Sequence, residues 1–202
     1  MSKDLLMIFT RNPELGKVKT RLAKTTGNEA ALEIYKFLLH HTFSISKNLN
    51  CDKAVYYSNT INKNDIWNSK AHQKKEQHGS DLGERMLHAF SENLNSYDKV
   101  IIIGSDIYEL KPEHIKQAFK KLNVYDVVIG PAKDGGYYLL GLKSLNTKIF
   151  KNKNWGTASV LENTLEDLKN ENVHLLEALN DIDTYEDLKD NEVFKPFIKH
   201  IQ

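Results

Sequence analysis

The 202-residue chain predicts an α/β fold: one domain over residues 1–202, built as a Rossmann-like mixed, mostly parallel sheet with helices on both faces. Three observations carry this. Short, continuously apolar runs alternate with longer segments of helical period, as expected for strands covered on both sides. No internal repeat, low-complexity tract or linker divides the chain. Charged motifs follow the apolar runs directly, where open α/β sheets gather their ligands.

The elements follow in order. Asp4–Phe9 (DLLMIF) is a buried strand, and a short helix is expected near Lys19–Ala23. Asn28–Leu49 repeats Ala31, Ile34, Tyr35, Leu38, Leu39 and Phe43 at helical spacing. Lys53–Ser58 is a second strand, and the polar stretch Asn59–Gly79 reads as loop with a short helix around Trp67. Leu82–Leu94 is an amphipathic helix, and Lys99–Asp106 (KVIIIGSD) opens with the cleanest strand of the chain. Lys111–Leu122 is a helix with proline at its start, where the missing N–H costs nothing. Asp126–Ala132 and Gly136–Leu142 are strands around a glycine turn, Thr157–Asn172 is helical, Val173–Leu179 is a strand, and terminal helices follow Thr184.

Composition narrows the function classes. With 40% hydrophobic and 27% charged residues, a core of useful size can form. Net charge is +1, so no global field draws the chain to nucleic acid or to a membrane surface. Cys51 is the one cysteine, which excludes an intramolecular disulfide and a cysteine-based zinc cluster. The first apolar run is too short for a signal peptide, and no apolar stretch approaches the roughly 20 residues of a membrane span. The expectation is a cytoplasmic protein that binds small molecules, with its oligomeric state left open.

The stretch FTRNPELGKVKTRLA packs Arg11, Lys17, Lys19 and Arg21 into a loop after the first strand. It fails as a Walker A loop, since Arg11 stands where the first glycine should and Val18 follows Lys17, and no G-x-G-x-x-G occurs. What remains is a cationic loop suited to clamping a di- or triphosphate; otherwise it is a solvated basic loop. Asp106, just past a buried strand, has the position of a carboxylate that holds Mg²⁺ against phosphate oxygens; the plain alternative is a turn cap. In GPAKDGGYYLLGL the turn Asp134-Gly135-Gly136 serves a hairpin, yet its glycines also let backbone approach a ligand; Asp134 is a candidate for metal or sugar hydroxyl and Tyr137 for stacking. GSDLGERM reads as a capping box of Asp81 with Glu84, with Arg85 within reach of a ligand. In NDIDTYEDL, Asp183 and Glu186 fit a second box, while Asp181 and Asp183 at alternate positions share one side of an extended segment and suit one metal. The histidines lack metal-like partners, and without G-x-S-x-G a serine hydrolase has no support.

Taken in order, FTRNPELGKVKTRLA, GSDLGERM, IIIGSD, GPAKDGGYYLLGL, NWGTASV and DIDTYEDL resemble the DUF2064 proteins of the glycosyltransferase A superfamily, from Phe9 to about Leu188. The resemblance implies the nucleotide-diphospho-sugar transferase fold. More distantly, the pattern is similar to phospholactate guanylyltransferases and molybdenum-cofactor nucleotidyltransferases. By that likeness Arg11, Lys17, Lys19 and Arg21 face phosphates, with Arg85 beside them. Asp106 holds Mg²⁺ or Mn²⁺, Asp183 is a second ligand, and Asp106 and Asp134 are the catalytic carboxylates. Gly135, Gly136, Tyr137 and Trp155 border the sugar or acceptor. Ile107-Tyr108 stand where the family usually has Cys-Pro, and Gly156-Thr157 where it often has Ser-Thr. The implied activity is transfer from a nucleotide-sugar donor to a small acceptor. The rival is nucleotidyl transfer from an NTP to a phosphorylated acceptor, releasing pyrophosphate. A non-catalytic nucleotide-binding module is the third possibility, opposed by the retention of Asp106, Asp134 and Asp183.

Overall fold

The computed structural model describes residues 3–67 and 72–201. Seven strands form one sheet: β1 (Asp4–Thr10), β2 (Asp52–Tyr57), β3 (His72–Glu76), β4 (Lys99–Ile103), β5 (Val127–Pro131), β6 (Tyr137–Leu142) and β7 (Val173–Leu175). Their order is β3-β2-β1-β4-β6-β5-β7. Every neighbouring pair is parallel except β4–β6 and β5–β6, so the sheet is mixed and mostly parallel, as the sequence predicts.

Alternating side chains divide the core between two faces. Leu6, Ile8, Val55, Ile101, Ile103 and Val128 pack with Ile115 and Ala118 of α4 (Pro112–Lys121) and with Leu122, which follows it. Leu5, Met7, Ala54, Tyr56, Val100 and Ile102 pack with Met86, Ala89 and Phe90 of α3 (Leu82–Asn93). Leu161 and Leu165 of α5 (Val160–Asp167) close the second face further along. At about 1.5–3 kcal/mol for each fully buried large aliphatic side chain, these two layers dominate the stability. A smaller core joins α1 (Thr20–Thr26), α2 (Asn28–Ser46) and the C-terminal segment through Leu22, Ile34, Leu38, Ile182, Leu188, Phe194 and Ile198.

Several expectations are corrected. The polar stretch after Asn59 holds a strand, β3, rather than loop alone; HQKKE pairs only with β2, so as an edge strand it keeps its polar character. Trp67 is buried in a turn, and the rest of the short helix expected around it falls on residues 68–71, outside the described residues. At the C-terminal end β7 stops at Leu175, and the terminal segment makes turns, 3₁₀ helix and only a four-residue α6 (Lys195–Ile198). The predicted Asp183–Glu186 box is replaced by Asp187, whose carboxylate accepts from Asp183 N at 3.1 Å and Thr184 N at 2.6 Å.

Ile107 and Tyr108 hold the chain after Asp106 by packing. Ile107 is buried under α4, and Tyr108 packs against Phe37 of α2 and Phe194. The loop carrying Asp106 is therefore anchored by apolar packing.

Candidate active site

The C-terminal edge of the sheet is where β1 and β4 release the chain, and their exits are tied together. Tyr35, on the buried stripe of α2, sends its hydroxyl under both. It accepts from Arg11 N at 2.8 Å, donates to Arg11 O at 3.1 Å, and lies 3.2 Å from Thr10 Oγ1 and 3.4 Å from Ser105 Oγ. Burial, and then the nearby Asp106 carboxylate, push its pKa up to about 12, so it stays a neutral hydroxyl at working pH. Asp106 follows Ser105, and its carbonyl accepts from Ile182 N at 3.0 Å. That bond brings the segment carrying Asp181 and Asp183 against the exit of β4.

The cationic loop closes this corner. Lys19 adopts a left-handed backbone, φ 48°, at the start of α1, a conformation that costs a non-glycine residue about 1 kcal/mol or more. The turn sends its side chain inward, where it is 4% exposed and sets Nζ 2.9 Å from Asp106 Oδ2 and 4.0 Å from Asp183 Oδ1. Arg21 binds Asp183 Oδ2 from outside at 2.6 Å.

Beside this cluster lies a cavity of about 440 Å³ lined by Thr10, Arg11, Gln77, Ser80, Asp81, Arg85 and Asp106, among others. Its far wall is the start of α3. Asp81 caps Glu84 N at 2.8 Å, as the sequence predicts, and Glu84 reaches back to Ser80 N at 2.8 Å. Arg85 is braced by Gly79 O at 3.1 Å. Gln77 donates to Thr10 O and Tyr56 O, joining this wall to the first two strands. A smaller and more apolar-lined space of about 200 Å³ near Trp67 and Leu39 also touches Arg11 but holds no part of the carboxylate cluster.

The turn between β5 and β6 supplies the third side. Asp134 is exposed and accepts from Gly136 N at 2.9 Å, holding the turn that its two glycines permit. Gly135 O accepts from Leu161 N at 2.9 Å, which nests the turn into the start of α5. Trp155 rests on Gly83 of α3 and lies edge-on to Tyr137, with ring centroids 6.5 Å apart.

Asp181 completes the electrostatics. Burial first, and then the charges of Asp134 and Asp183, push its pKa up to about 6, against an opposing pull from Lys19. The folded protein holds this proton more tightly than the unfolded chain. Its stabilising effect is therefore full below the ordinary carboxylate value and is lost as pH rises through about 6. In EDTA-treated protein, Asp181→Asn is expected to gain roughly 1–2 kcal/mol at pH 8, a rise of several degrees in Tm, and nothing at pH 4. Melting curves at the two pH values decide it: equal gains at both would make the effect one of packing, not charge.

The sequence-predicted residues thus converge in part. Arg11, Lys19, Arg21, Arg85, Asp106 and Asp183 gather at one rim, with Asp134 close enough to Asp181 to bias it. Lys17 does not join them: it is 70% exposed and paired with Glu14 at 2.6 Å. Tyr137 also departs from expectation, because its hydroxyl is buried beside Thr164, which leaves it poorly placed as a stacking platform. Gly135, Gly136 and Trp155 frame the turn and its neighbour rather than line the cavity beside Asp106. Tyr35 and Gln77 carry much of the architecture and were not singled out in sequence. Tyr35 fell on a helical apolar stripe that reads as core, and Gln77 in a polar stretch without periodicity.

Residues 42–157, more than half of the chain, match the family described as "Uncharacterized protein conserved in bacteria (DUF2064)". The chain belongs to the DUF2064 family. This DUF2064 chain is 32% identical over 188 residues to the 2-phospho-L-lactate guanylyltransferase of Methanocaldococcus sp. (strain FS406-22), covering 89% of the chain and 77% of that relative. A crystal structure from Desulfovibrio desulfuricans G20, provisionally assigned as a nucleotide-diphospho-sugar transferase, superposes with a TM-score of 0.87 at 33% identity, covering 99% of the chain and 95% of its counterpart. The inositol-1-phosphate CTP transferase of T. maritima shares the fold alone: its TM-score is 0.60 at 14% identity, over 100% and 97% of the two chains. The DUF2064 chain therefore has the nucleotide-diphospho-sugar transferase fold and is an enzyme of the transferase class. No helix among the described residues is long and apolar enough to cross a membrane.

Proposed function

We propose that this protein is a nucleotidyltransferase: it joins the nucleoside monophosphate part of an NTP to a small phosphorylated acceptor and releases pyrophosphate. The observation that carries the reading is the Lys19–Asp106–Asp183 cluster opening beside a cavity walled by Arg11 and Arg85. Cations on one side and carboxylates on the other are what a polyphosphate and its counter-ion need. The acceptor's phosphate oxygen bonds to the α-phosphorus, the bond from that phosphorus to the bridging oxygen breaks, and the electron pair leaves with pyrophosphate. The acceptor oxygen is already anionic, so no general base is required. Arg11, Lys19 and Arg85 bind and orient the phosphates and stabilise charge on the leaving pyrophosphate.

Mg²⁺ or Mn²⁺ fits the donor set. Among the described residues no three His, Cys, Asp or Glu side chains gather as ligands for one ion, so no all-protein cage exists. Asp106 and Asp183 converge from two segments, and Mg²⁺ commonly takes one or two carboxylates with the rest of its shell from phosphates and water. Bound there, the ion would neutralise phosphate charge. The likeness to the Desulfovibrio structure supports a second reading, transfer of a sugar from a nucleotide sugar in the same cleft.

A thermal-shift series separates the two. The guanylyltransferase relative makes GTP the first nucleotide to try and a phosphorylated hydroxy acid the first acceptor. At 100 times Kd, GTP with Mg²⁺ is expected to add about 2.7 kcal/mol, or roughly 5–10 °C in Tm, and pyrophosphate should appear once acceptor is added. Stabilisation by UDP- or GDP-sugars, with none from NTPs, would reverse the assignment in favour of glycosyl transfer.

A further inference from the structure

Lys19 stands where a bound cation would have to go. Its ammonium is held between Asp106 and Asp183, at 2.9 and 4.0 Å, on a side chain that is almost wholly covered, whereas the two carboxylate side chains are 46% and 31% exposed. We propose that Lys19 is a built-in counter-ion that must leave the Asp106–Asp183 pair before a divalent metal binds there, so that metal and nucleotide enter together and neither binds well alone. The proposal rests on the nucleotide-binding reading above and adds to it an obligatory exchange of partners.

The physical case has three parts. First, the Lys19 ammonium lies 2.9 Å from Asp106 Oδ2 and 4.0 Å from Asp183 Oδ1, so it fills the space a dication bound to both carboxylates would take, and it repels that dication directly. Second, a lysine is suited to leaving. Its charge is a compact point on a flexible four-carbon stem with rotatable donors, unlike the fixed fork of Arg21, which grips Asp183 from outside and can remain. Third, the exchange needs a destination. The cavity beside Asp106 is the place where a polyphosphate would lie, bordered by Thr10, Arg11 and Arg85. The nucleotide's phosphates offer Lys19 a replacement anion at the moment the metal takes its old one. The left-handed backbone at Lys19 fixes where the stem starts, so the ammonium swings about a defined root. The groups facing it are Asp106 from the β4 exit and Asp181 and Asp183 from the segment after β7, with Arg21 on the far side of Asp183.

Linkage then makes the effect reciprocal: whatever factor nucleotide adds to metal affinity, metal adds to nucleotide affinity, typically about 5–150-fold. Removing the ammonium should break that linkage from the metal side.

The test is Mn²⁺ binding to nucleotide-free protein, followed by electron paramagnetic resonance of free Mn²⁺ and by calorimetry. Wild type is expected to bind Mn²⁺ weakly. Lys19→Met is expected to bind at least about tenfold more tightly, with Lys19→Gln close to it and Lys19→Arg no tighter than wild type. Melting of each variant in EDTA establishes that it is folded. Asp106→Asn combined with Lys19→Met should lose the gained affinity, which locates the ion. Equal Mn²⁺ affinity in wild type and Lys19→Met overturns the exchange while leaving the nucleotidyltransferase reading in place. Failure of GTP to shift the wild type under any metal condition overturns that reading instead.

Discussion

Asp106→Asn is expected to lower kcat/KM for nucleotide-dependent transfer by on the order of 10²–10³-fold while leaving the protein folded. The substitution keeps shape and removes charge. Ser105 and Tyr35 still hold the β4 exit, the Asp106 carbonyl still accepts from Ile182 N, and Lys19 keeps Asp183 at 4.0 Å as its anionic partner. What is lost is one of the two carboxylates beside the cleft where the proposed metal and phosphates would meet. The metal-dependent part of the GTP thermal shift should vanish, and Tm without ligand should fall by only a few degrees. An Asp106→Asn protein that still shows the full metal-dependent shift would remove Asp106 from the proposed ligand set, and with it the central role given to this corner of the sheet.

Much of this corner is readable from sequence, because apolar runs fix where strands end and the ends fix where ligands collect. LLMIF and VIIIG have no other stable home than a sheet covered on both faces, so the residues after them, Arg11 and Asp106, had to emerge at the same edge. Asp81 with Glu84 was equally legible, since a cap is a local contract between residues three apart. What sequence did not carry is direction. Lys17, Lys19 and Arg21 look equivalent as letters, yet a single left-handed residue turns Lys19 inward, while Lys17 pairs with Glu14 in solvent and Arg21 lies on the rim. The same holds for Tyr35, whose ring satisfies the helical pattern and whose hydroxyl does the joining. β3 was missed for another reason: an edge strand has one partner and little burial, so the alternation that marks a strand is replaced by lysines that keep the edge soluble.

The largest stability loss is expected from Gly135→Ala, on the order of 3 kcal/mol or more, a fall of roughly 6–12 °C in Tm. Two costs add there. Gly135 has φ +92°, which an alanine adopts only with strain, and a Cβ at that position would stand 2.2 Å from the carbonyl oxygen of Ala158. That oxygen is backbone and cannot rotate away, so either the Asp134–Gly136 turn or the segment leading into α5 must move. Either movement breaks the bond from Leu161 N to Gly135 O and shifts Asp134 relative to Asp181. Gly156→Ala is the control, because Gly156 has a similar φ of +81° but nothing within 4 Å of a Cβ. It should cost only about 1 kcal/mol, the conformational term by itself. The difference between the two melting temperatures therefore measures how tightly the turn is nested. Equal losses would mean that the turn is held by its own conformation and that its contact with Ala158 contributes little to the rigidity of the cleft.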